Sequence, residues 1–305
     1  MRRRTALLGA ALAAGALALA GCDRGGDTDL GLALSTMNNP FFVGIKKGAQ
    51  AEADARGLHI NITDAQNDPM QQINQMETFT SQQVKAAIIN PVDADAAVPA
   101  VGVANRAKVP VISIDRGVNG GRVGSTIASD NVAGGRLAAK TLADALGGRG
   151  KVAFLEGRPG TSAARERGRG FEEGVGQYPG IEVVARQPAD FDRTKGMDVM
   201  SNMLQAHRDI AGVFAANDEM ALGASKALGA RSGKDVKVVA FDGTPDGVRA
   251  VRAGTLTATV AQQPELLGRQ AVDWALKAAR GEKLPRTVRV PVVLVTTANA
   301  ARFGG

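Results

Sequence analysis

From residue 30 onward, short runs of aliphatic and β-branched residues alternate with amphipathic stretches of helical period. That alternation has few structural solutions. Parallel strands need crossover connections, and the crossover helices cover both faces of the sheet. The runs predict strands over Leu30–Ser35, His59–Asp64, Ala86–Asn90, Val109–Asp115, Lys151–Glu156, Ile181–Gln187, Gly212–Asn217, Val236–Asp242 and Leu256–Ala261. Between them the spacing predicts helices such as Gly44–Arg56, Met70–Gln82, Val132–Leu146, Ala163–Gln177, Met197–Ala206 and Glu219–Leu228. A chain of 305 residues, 44% hydrophobic, suits two cores better than one larger one.

The pattern repeats in two halves. "AAIINPVDADA" closes a strand at Asn90, and 25 residues later "VPVISIDRG" closes one at Asp115. "GVFAANDEMA" closes a strand at Asn217, and 25 residues later "VKVVAFDGT" closes one at Asp242. The expected fold is therefore α/β, with two similar doubly wound parallel-sheet domains. Each offers an Asn and an Asp at strand carboxyl ends, the edge at which open α/β sheets bind ligands. Helix capping accounts equally well for any one of the four. The matched spacing favours a site.

The segment Ser35-Thr-Met-Asn-Asn-Pro-Phe-Phe42 places two of the nine phenylalanines side by side after the first strand. Asn39 suits a helix cap and Pro40 the first helical position, which puts Phe41 and Phe42 in the first turn. Successive helical side chains point about 100° apart, so at least one ring is expected to project into the crevice rather than share the core stripe. Aromatic faces beside Asn and Asp suit a ligand with apolar faces and a hydroxyl-bearing edge, such as a sugar ring.

The stretches "LALSTMNNPFFVGIKKGAQAEAD", "IINPVDADA", "IDRG", "STIASDNVAGG", "GTSAARERGRGF", "QPADFDRTKGMDVMSNML", "FAANDEMALGA" and "VVAFDGTPDG" together resemble the ribose-binding branch of the type I periplasmic binding proteins. These are receptors of bacterial uptake systems, related to the sensor cores of LacI-type repressors. The resemblance runs from about residue 29 to about 297. It implies D-ribose or a similar monosaccharide as ligand, the permease of an ATP-binding-cassette importer as partner, a monomer, and no cofactor. Asn39, Phe41, Phe42, Asn90, Asp115 and Arg116 would contact the sugar from the first domain. Arg167, Phe191, Asn217, Phe241, Asp242 and Gln262 would do so from the second, with Phe41 and Phe42 facing Phe191 across the ring. A three-segment hinge near residues 129, 262 and 291 is implied as well. It divides the chain into residues 30–129 plus 263–291 and residues 130–262 plus 292–305. For Arg167 only the resemblance argues a role. Within "ARER", spacing alone leaves both Arg165 and Arg167 on a solvated face.

Residues 1–21 read as an export signal, with a cationic start, a short Ala/Leu/Gly stretch and a small-residue ending. "LAGC" resembles a bacterial lipobox, which makes Cys22, the chain's one cysteine, the expected lipidation site and residues 22–29 a lipidated linker. Such a protein is held at a membrane on the periplasmic or outer face of the cell. The paired arginines leave both general and twin-arginine export open. Three of the seven net positive charges are Arg2, Arg3 and Arg4; removing them leaves +4 and no basic block, so composition gives no reason to expect nucleic-acid binding. Residues 1–29 also occupy the place where a repressor carries its DNA-reading helices.

Other chemistries lack their parts. The two histidines, His59 and His207, lie far apart, and there is no His/Cys cluster for a metal. "DAQNDPM" lacks the glycine and distant glutamate of a calcium loop, "GRGKV" is not a phosphate-binding loop, and no G-x-S-x-G elbow occurs. An enzyme would have to use Asp115 and Asp242 as acid and base. Neighbouring arginines and amides would hold both ionised, which suits binding better than proton transfer.

Overall fold

A computed structural model describes residues 28–303; the expected export signal and Cys22 lie outside the described residues. In chain order the first elements are β1 (Leu30–Leu34), α1 (Pro40–Ala55), β2 (Ile60–Asp64), α2 (Pro69–Ser81), β3 (Ala86–Ile89), α3 (Val98–Arg106), β4 (Val111–Ile114) and β5 (Ser125–Ser129). There follow α4 (Asn131–Ala145), β6 (Arg149–Glu156), α5 (Ser162–Val175), β7 (Gly180–Pro188), α6 (Arg193–Ala206), β8 (Ile210–Ala215), α7 (Asp218–Leu228), β9 (Lys237–Asp242), α8 (Pro245–Arg252) and β10 (Ala258–Ala261). The last are α9 (Pro264–Ala279), β11 (Thr287–Val290) and β12 (Val293–Thr296).

These strands form two six-stranded sheets, ordered β2-β1-β3-β4-β5-β11 and β7-β6-β8-β9-β10-β12. The first is parallel throughout; in the second only β12 runs antiparallel, against β10. The order reverses between β1 and β3 in one sheet and between β6 and β8 in the other. That reversal opens a crevice at the strand carboxyl ends. The expected doubly wound pair is the fold observed.

The inner strands of each sheet, such as β1, β3, β4, β8 and β9, are buried on both faces, which is why they read as continuous apolar runs. Leu30, Leu32, Leu34, Ile88, Ile112 and Ile114 pack with Ile45 and Leu267 on one side of the first sheet. Ala33, Ala87, Ile89 and Val111 pack with Met76, Phe79 and Val101 on the other. The core of the second lobe is centred on Phe154, Phe171 and Phe214, whose ring centroids lie 4.5–5.2 Å apart. α9 returns to the first lobe and lies against α1, so closely that a Cβ on Gly48 would overlap the Glu265 carbonyl.

The chain passes between sheets three times: after β5, between β10 and α9, and between β11 and β12. The passages lie side by side. The Asp130 amide donates to the Val290 carbonyl at 2.9 Å, and the Gln263 side chain donates to the Pro291 carbonyl at 2.9 Å. On the far side of the crevice the lobes also touch: the Ala94 amide donates to Gly160 O at 3.0 Å, and the Gly117 amide to Ser162 Oγ at 2.9 Å. The lobes are thus closed on each other. Among the described residues no helix is long and apolar enough to cross a membrane.

Three strands (β5, β11, β12) and three helices (α3, α8, α9) lie outside the ranges read from the pattern. Several predicted strands also end one or two residues early. Asn90, Asp115 and Asn217 stand just past β3, β4 and β8, with only Asp242 inside its strand.

Candidate ligand-binding site

Asn39 caps α1, its Oδ1 accepting from the Phe41 amide at 2.9 Å, and Pro40 opens the helix. The cap fixes the entry of the first turn and so aims both rings. Phe41 and Phe42 are buried, edge to face at 5.2 Å, and each belongs to the core of the first lobe. Each also lines an interlobe cavity. Phe42 lies with Phe191, Asn39, Arg158 and Asp190 around about 300 Å³, and Phe41 lies beside Asp242, Thr244 and Pro264 around about 440 Å³. A first-turn position at a strand-to-helix junction lets one ring serve core and crevice together.

Asn90 ties three strand ends together. Its Oδ1 accepts from the Ser35 amide at 3.1 Å, and its Nδ2 donates to the Ile114 carbonyl at 3.1 Å and to Asp115 Oδ2 at 3.2 Å. Arg116 donates to Ser35 Oγ at 3.3 Å and to the Pro91 carbonyl at 3.1 Å. Its guanidinium carbon stands 5.2 Å from the Phe42 ring and 5.6 Å from the Phe191 ring, one from each lobe. Its Nε is 3.5 Å from Asp115 Oδ2, near enough for an ion pair but not aligned for a hydrogen bond.

In the second lobe Arg167 is held by Asn131 Oδ1 at 2.9 Å and the Ala216 carbonyl at 2.7 Å, and it reaches Asp242 Oδ1 at 3.2 Å. Its guanidinium carbon lies 3.9 Å over the Phe241 ring and 5.6 Å over Phe191. Phe241 is fully buried and works from beneath, as a floor for the guanidinium. Gln262 donates to Asp242 Oδ1 at 2.6 Å. Asn217 caps α7 through the Met220 amide at 2.9 Å, and its Nδ2 donates to the Phe191 carbonyl at 3.2 Å. Of the four matched Asn and Asp residues, only Asn217 is a helix cap.

Of the twelve positions named from the sequence, Asn39, Phe41, Phe42, Phe191 and Asp242 line the cavities between the lobes, Phe241 lies beneath, and the polar ones are buried. Asn90, Asp115 and Arg116 are linked at the strand ends of one lobe, and Arg167, Asp242 and Gln262 at those of the other. Three polar atoms of these residues have no partner among the described residues: Asp115 Oδ1, Arg116 Nε and Gln262 Oε1. Two acceptors and a donor, sealed from water and unpaired, cost about 1–3 kcal/mol each. Backbone strain occurs at the same place. Asp115, Phe191 and Asp242 have φ of 64°, 61° and 116°, values that residues with side chains rarely adopt and that rigid surroundings must enforce.

Burial pushes the Asp115 carboxyl above the usual range, against the pull of the Arg116 and Arg167 guanidiniums. Burial lowers Arg116 to about 10, with Asp115 opposing. Burial also raises Asp242 to about 7; Arg167 opposes the rise, and the Asp218 carboxylate adds to it. The expectation that arginines and amides hold both carboxyls firmly ionised is thus corrected: the cost of burial outweighs them. Sequence reasoning passed over Ser35, Asn131 and Asp218, which orient the arginines and the Asp242 turn. The one signal for Asp218 is its place directly after Asn217. No group of three His, Cys, Asp or Glu side chains close enough to hold a metal occurs among the described residues.

Two α/β lobes, three chain crossings and a buried cluster of arginines, carboxylates, amides and rings between the lobes define a bilobal solute receptor. The chain belongs to the periplasmic binding protein family, whose domain matches residues 30–283. It is 50% identical over 267 residues to the ribose import binding protein of Bacillus subtilis, covering 88% of this chain and 87% of that protein. It is 46% identical over 296 residues to the ribose import binding protein of Haemophilus influenzae, covering 97% of this chain and 100% of that one. Among solved structures, a periplasmic solute binding protein of an ABC transporter from Actinobacillus succinogenes, with bound D-allose, superimposes with a TM-score of 0.85. It is 30% identical and covers 90% of this chain and 99% of that one.

Proposed function

We propose that this chain is the substrate-binding component of an ABC sugar importer, that it takes D-ribose between its lobes, and that it hands the sugar on chemically unchanged. The observation that carries this reading is the set Asp115 Oδ1, Arg116 Nε and Gln262 Oε1, buried without hydrogen-bond partners among the described residues, with Arg116 against the Phe42 ring of one lobe and the Phe191 ring of the other. Pyranose hydroxyls both donate and accept, and so satisfy carboxylate, guanidinium and amide together. Hydrogen bonds to charged groups contribute about 1.5–3 kcal/mol each, and aromatic faces add about 0.5–1.5. Half-identity to ribose import binding proteins supports ribose in particular.

In this reading Asn39, Phe41, Phe42, Asn90, Asp115 and Arg116 bind from the lobe of residues 30–129 plus 263–291. Arg167, Phe191, Asn217, Phe241, Asp242 and Gln262 bind from the lobe of residues 130–262 plus 292–305. The protein acts as a monomer, exported and tethered by lipid on Cys22. The D-allose-bound structural relative makes a hexose the second reading.

Titration calorimetry with ribose, allose and other sugars, followed by recovery of the ligand, tests the proposal. One ribose per chain, bound in the micromolar range or tighter and recovered intact, is the expected result. Heat with allose and none with ribose would replace the sugar, and an altered product would make the protein an enzyme. Fractionation of native cells expressing the wild type and Cys22→Ser checks the anchor: only the wild type is expected in the membrane as processed, acylated protein.

A further inference from the structure

We propose that Asp218, a fully buried residue outside the twelve ligand positions, is the positioning residue for the ligand carboxylate Asp242. The inference rests on the receptor reading for its ligand and on geometry for the rest.

Asp218 opens α7 beside the cap Asn217, yet its side chain turns inward and is fully buried. Its Oδ2 accepts from both the amide and the hydroxyl of Thr244, at 2.7 and 2.8 Å, and its Oδ1 accepts from the Thr259 hydroxyl at 2.7 Å. The protons on both hydroxyls are committed in one direction. Thr244 Oγ1 receives the Gly247 amide at 3.1 Å, and Thr259 Oγ1 receives the Gly243 amide at 3.2 Å, so each hydroxyl gives its single proton to Asp218. Every hydrogen-bond neighbour of Asp218 is therefore a donor. The site is built for an ionised carboxylate, with no acceptor for a carboxyl proton.

The held segment, Gly243–Thr244, comes directly after Asp242. Asp242 has φ 116° and Gly243 has φ 70°, and a Cβ on Gly243 would collide with Ala261. A turn this strained needs external restraint. Asp218 supplies it at three points, tying the turn to β10 through Thr259 and to the start of α8 through Thr244. The aim of the Asp242 carboxyl at Arg167 and Gln262 follows from that clamp.

The clamp also has an electrical consequence. The charged groups around this pair are Glu219 on α7, Asp115 across the crevice and the Arg167 guanidinium, which touches Asp242 alone. Burial raises Asp218 to about 6, against the pull of its Thr259 and Thr244 donors, so above that pH its negative charge opposes ionisation of Asp242, the form that accepts sugar hydroxyls. Ribose affinity in the wild type is thus expected to fall on acidification through neutral pH. In Asp218→Asn the midpoint of that fall moves to lower pH, even though peak affinity drops at least about tenfold because an amide brings a donor to a pocket of donors.

The test uses the full exported chain as wild type, Asp218→Asn and Thr259→Val. Hydrogen exchange at Gly243, Thr244 and Gly247, which needs no sugar, is expected to accelerate in both variants while the other strand ends keep their protection. Calorimetry with ribose from pH 5 to 8 is expected to show the weaker affinity in both and the shifted profile in Asp218→Asn. If Asp218→Asn does not fold, Thr259→Val carries the exchange and affinity tests. Unchanged exchange at 243–247, or affinity within about threefold of wild type across the profile, overturns the clamp. Failure of the wild type to bind ribose would overturn the receptor reading instead, and the exchange result would still decide on Asp218.

Discussion

Asp115 leaves the left-handed backbone region only if its surroundings let it, and they do not: Asn90, Arg116 and the end of β5 hold it. Its amide donates to the Ile127 carbonyl at 2.7 Å, so the carboxyl with its unpartnered, buried Oδ1 stands on a fixed backbone. Asp115→Ala removes that acceptor and leaves Arg116 buried without its counter-charge. Loss of about 2–3 kcal/mol, or roughly a hundredfold in ribose affinity, is expected by calorimetry. Retention of near-wild-type affinity would take Asp115 out of the site. Asp242 makes a separate prediction for the sugar-free protein. Its folded pKa of about 7 stands above the ordinary unfolded value, so the native state binds the extra proton. The associated stability is fully present below about pH 4 and is lost as pH rises through about 7. The melting temperature of the free protein is expected to decline between pH 5 and 8, with a flatter profile in Asp242→Asn. Equal slopes in the two proteins would assign the dependence elsewhere.

At the scale of elements, the loop after β6 touches the other lobe through Gly160. This glycine has φ 82°, and a Cβ there would strike the Asp93 carboxylate. Gly160→Val is expected to leave both cores intact and hold the lobes apart. Ribose binding would weaken by about tenfold or more, with a change in the free protein's stability of only about 1 kcal/mol from backbone strain. Calorimetry beside thermal melting separates the two effects, and undiminished affinity would show that this contact is not needed for closure. Elements also mark what could be read beforehand. The strands of both lobes interiors were legible because burial on two faces writes a continuous apolar run. β5, with the sequence Ser-Thr-Ile-Ala-Ser, is built from small and polar residues and is recruited by its neighbours β4 and β11. α3, Val-Pro-Ala-Val-Gly-Val, reads locally as a strand and becomes a helix because it packs with Met76 and Phe79 of α2 over the sheet. The site polar residues at strand ends were legible from their matched spacing. Arg167 and Phe241 were not, since one lies in a charged helical run and the other is a core phenylalanine by every local criterion.

Across the whole molecule, Arg116 standing near the Phe42 and Phe191 rings, together with the contacts opposite the crossings, describes a closed receptor. In the proposed reading, ligand contacts from both lobes would exist only in that form, and such differential contacts are what shift a population between open and closed states. Solution scattering is expected to give a smaller radius of gyration with saturating ribose than without it, since strand crossings clustered in one place permit rotation as near-rigid lobes. Coincident curves would mean that the free protein is already shut. The crossings carry a further consequence, for the order in which the molecule is made. The first sheet lacks its outer strand, β11, and its covering helix, α9, until the polypeptide has run through the second lobe as far as β10, all of that sheet but the edge strand β12. Its Leu267, Ala271 and Val272 fill a core begun more than two hundred residues earlier at Leu30. Contacts so distant in sequence slow folding, because the loop between them must close before they repay its entropy. A nascent chain ending near residue 262 should therefore stay loose in its leading half, and so fit to be threaded across a membrane. A fragment of residues 28–262 is expected to show protease resistance in its β6–β10 region and none in β1–β5, and equal resistance in both would refute the idea.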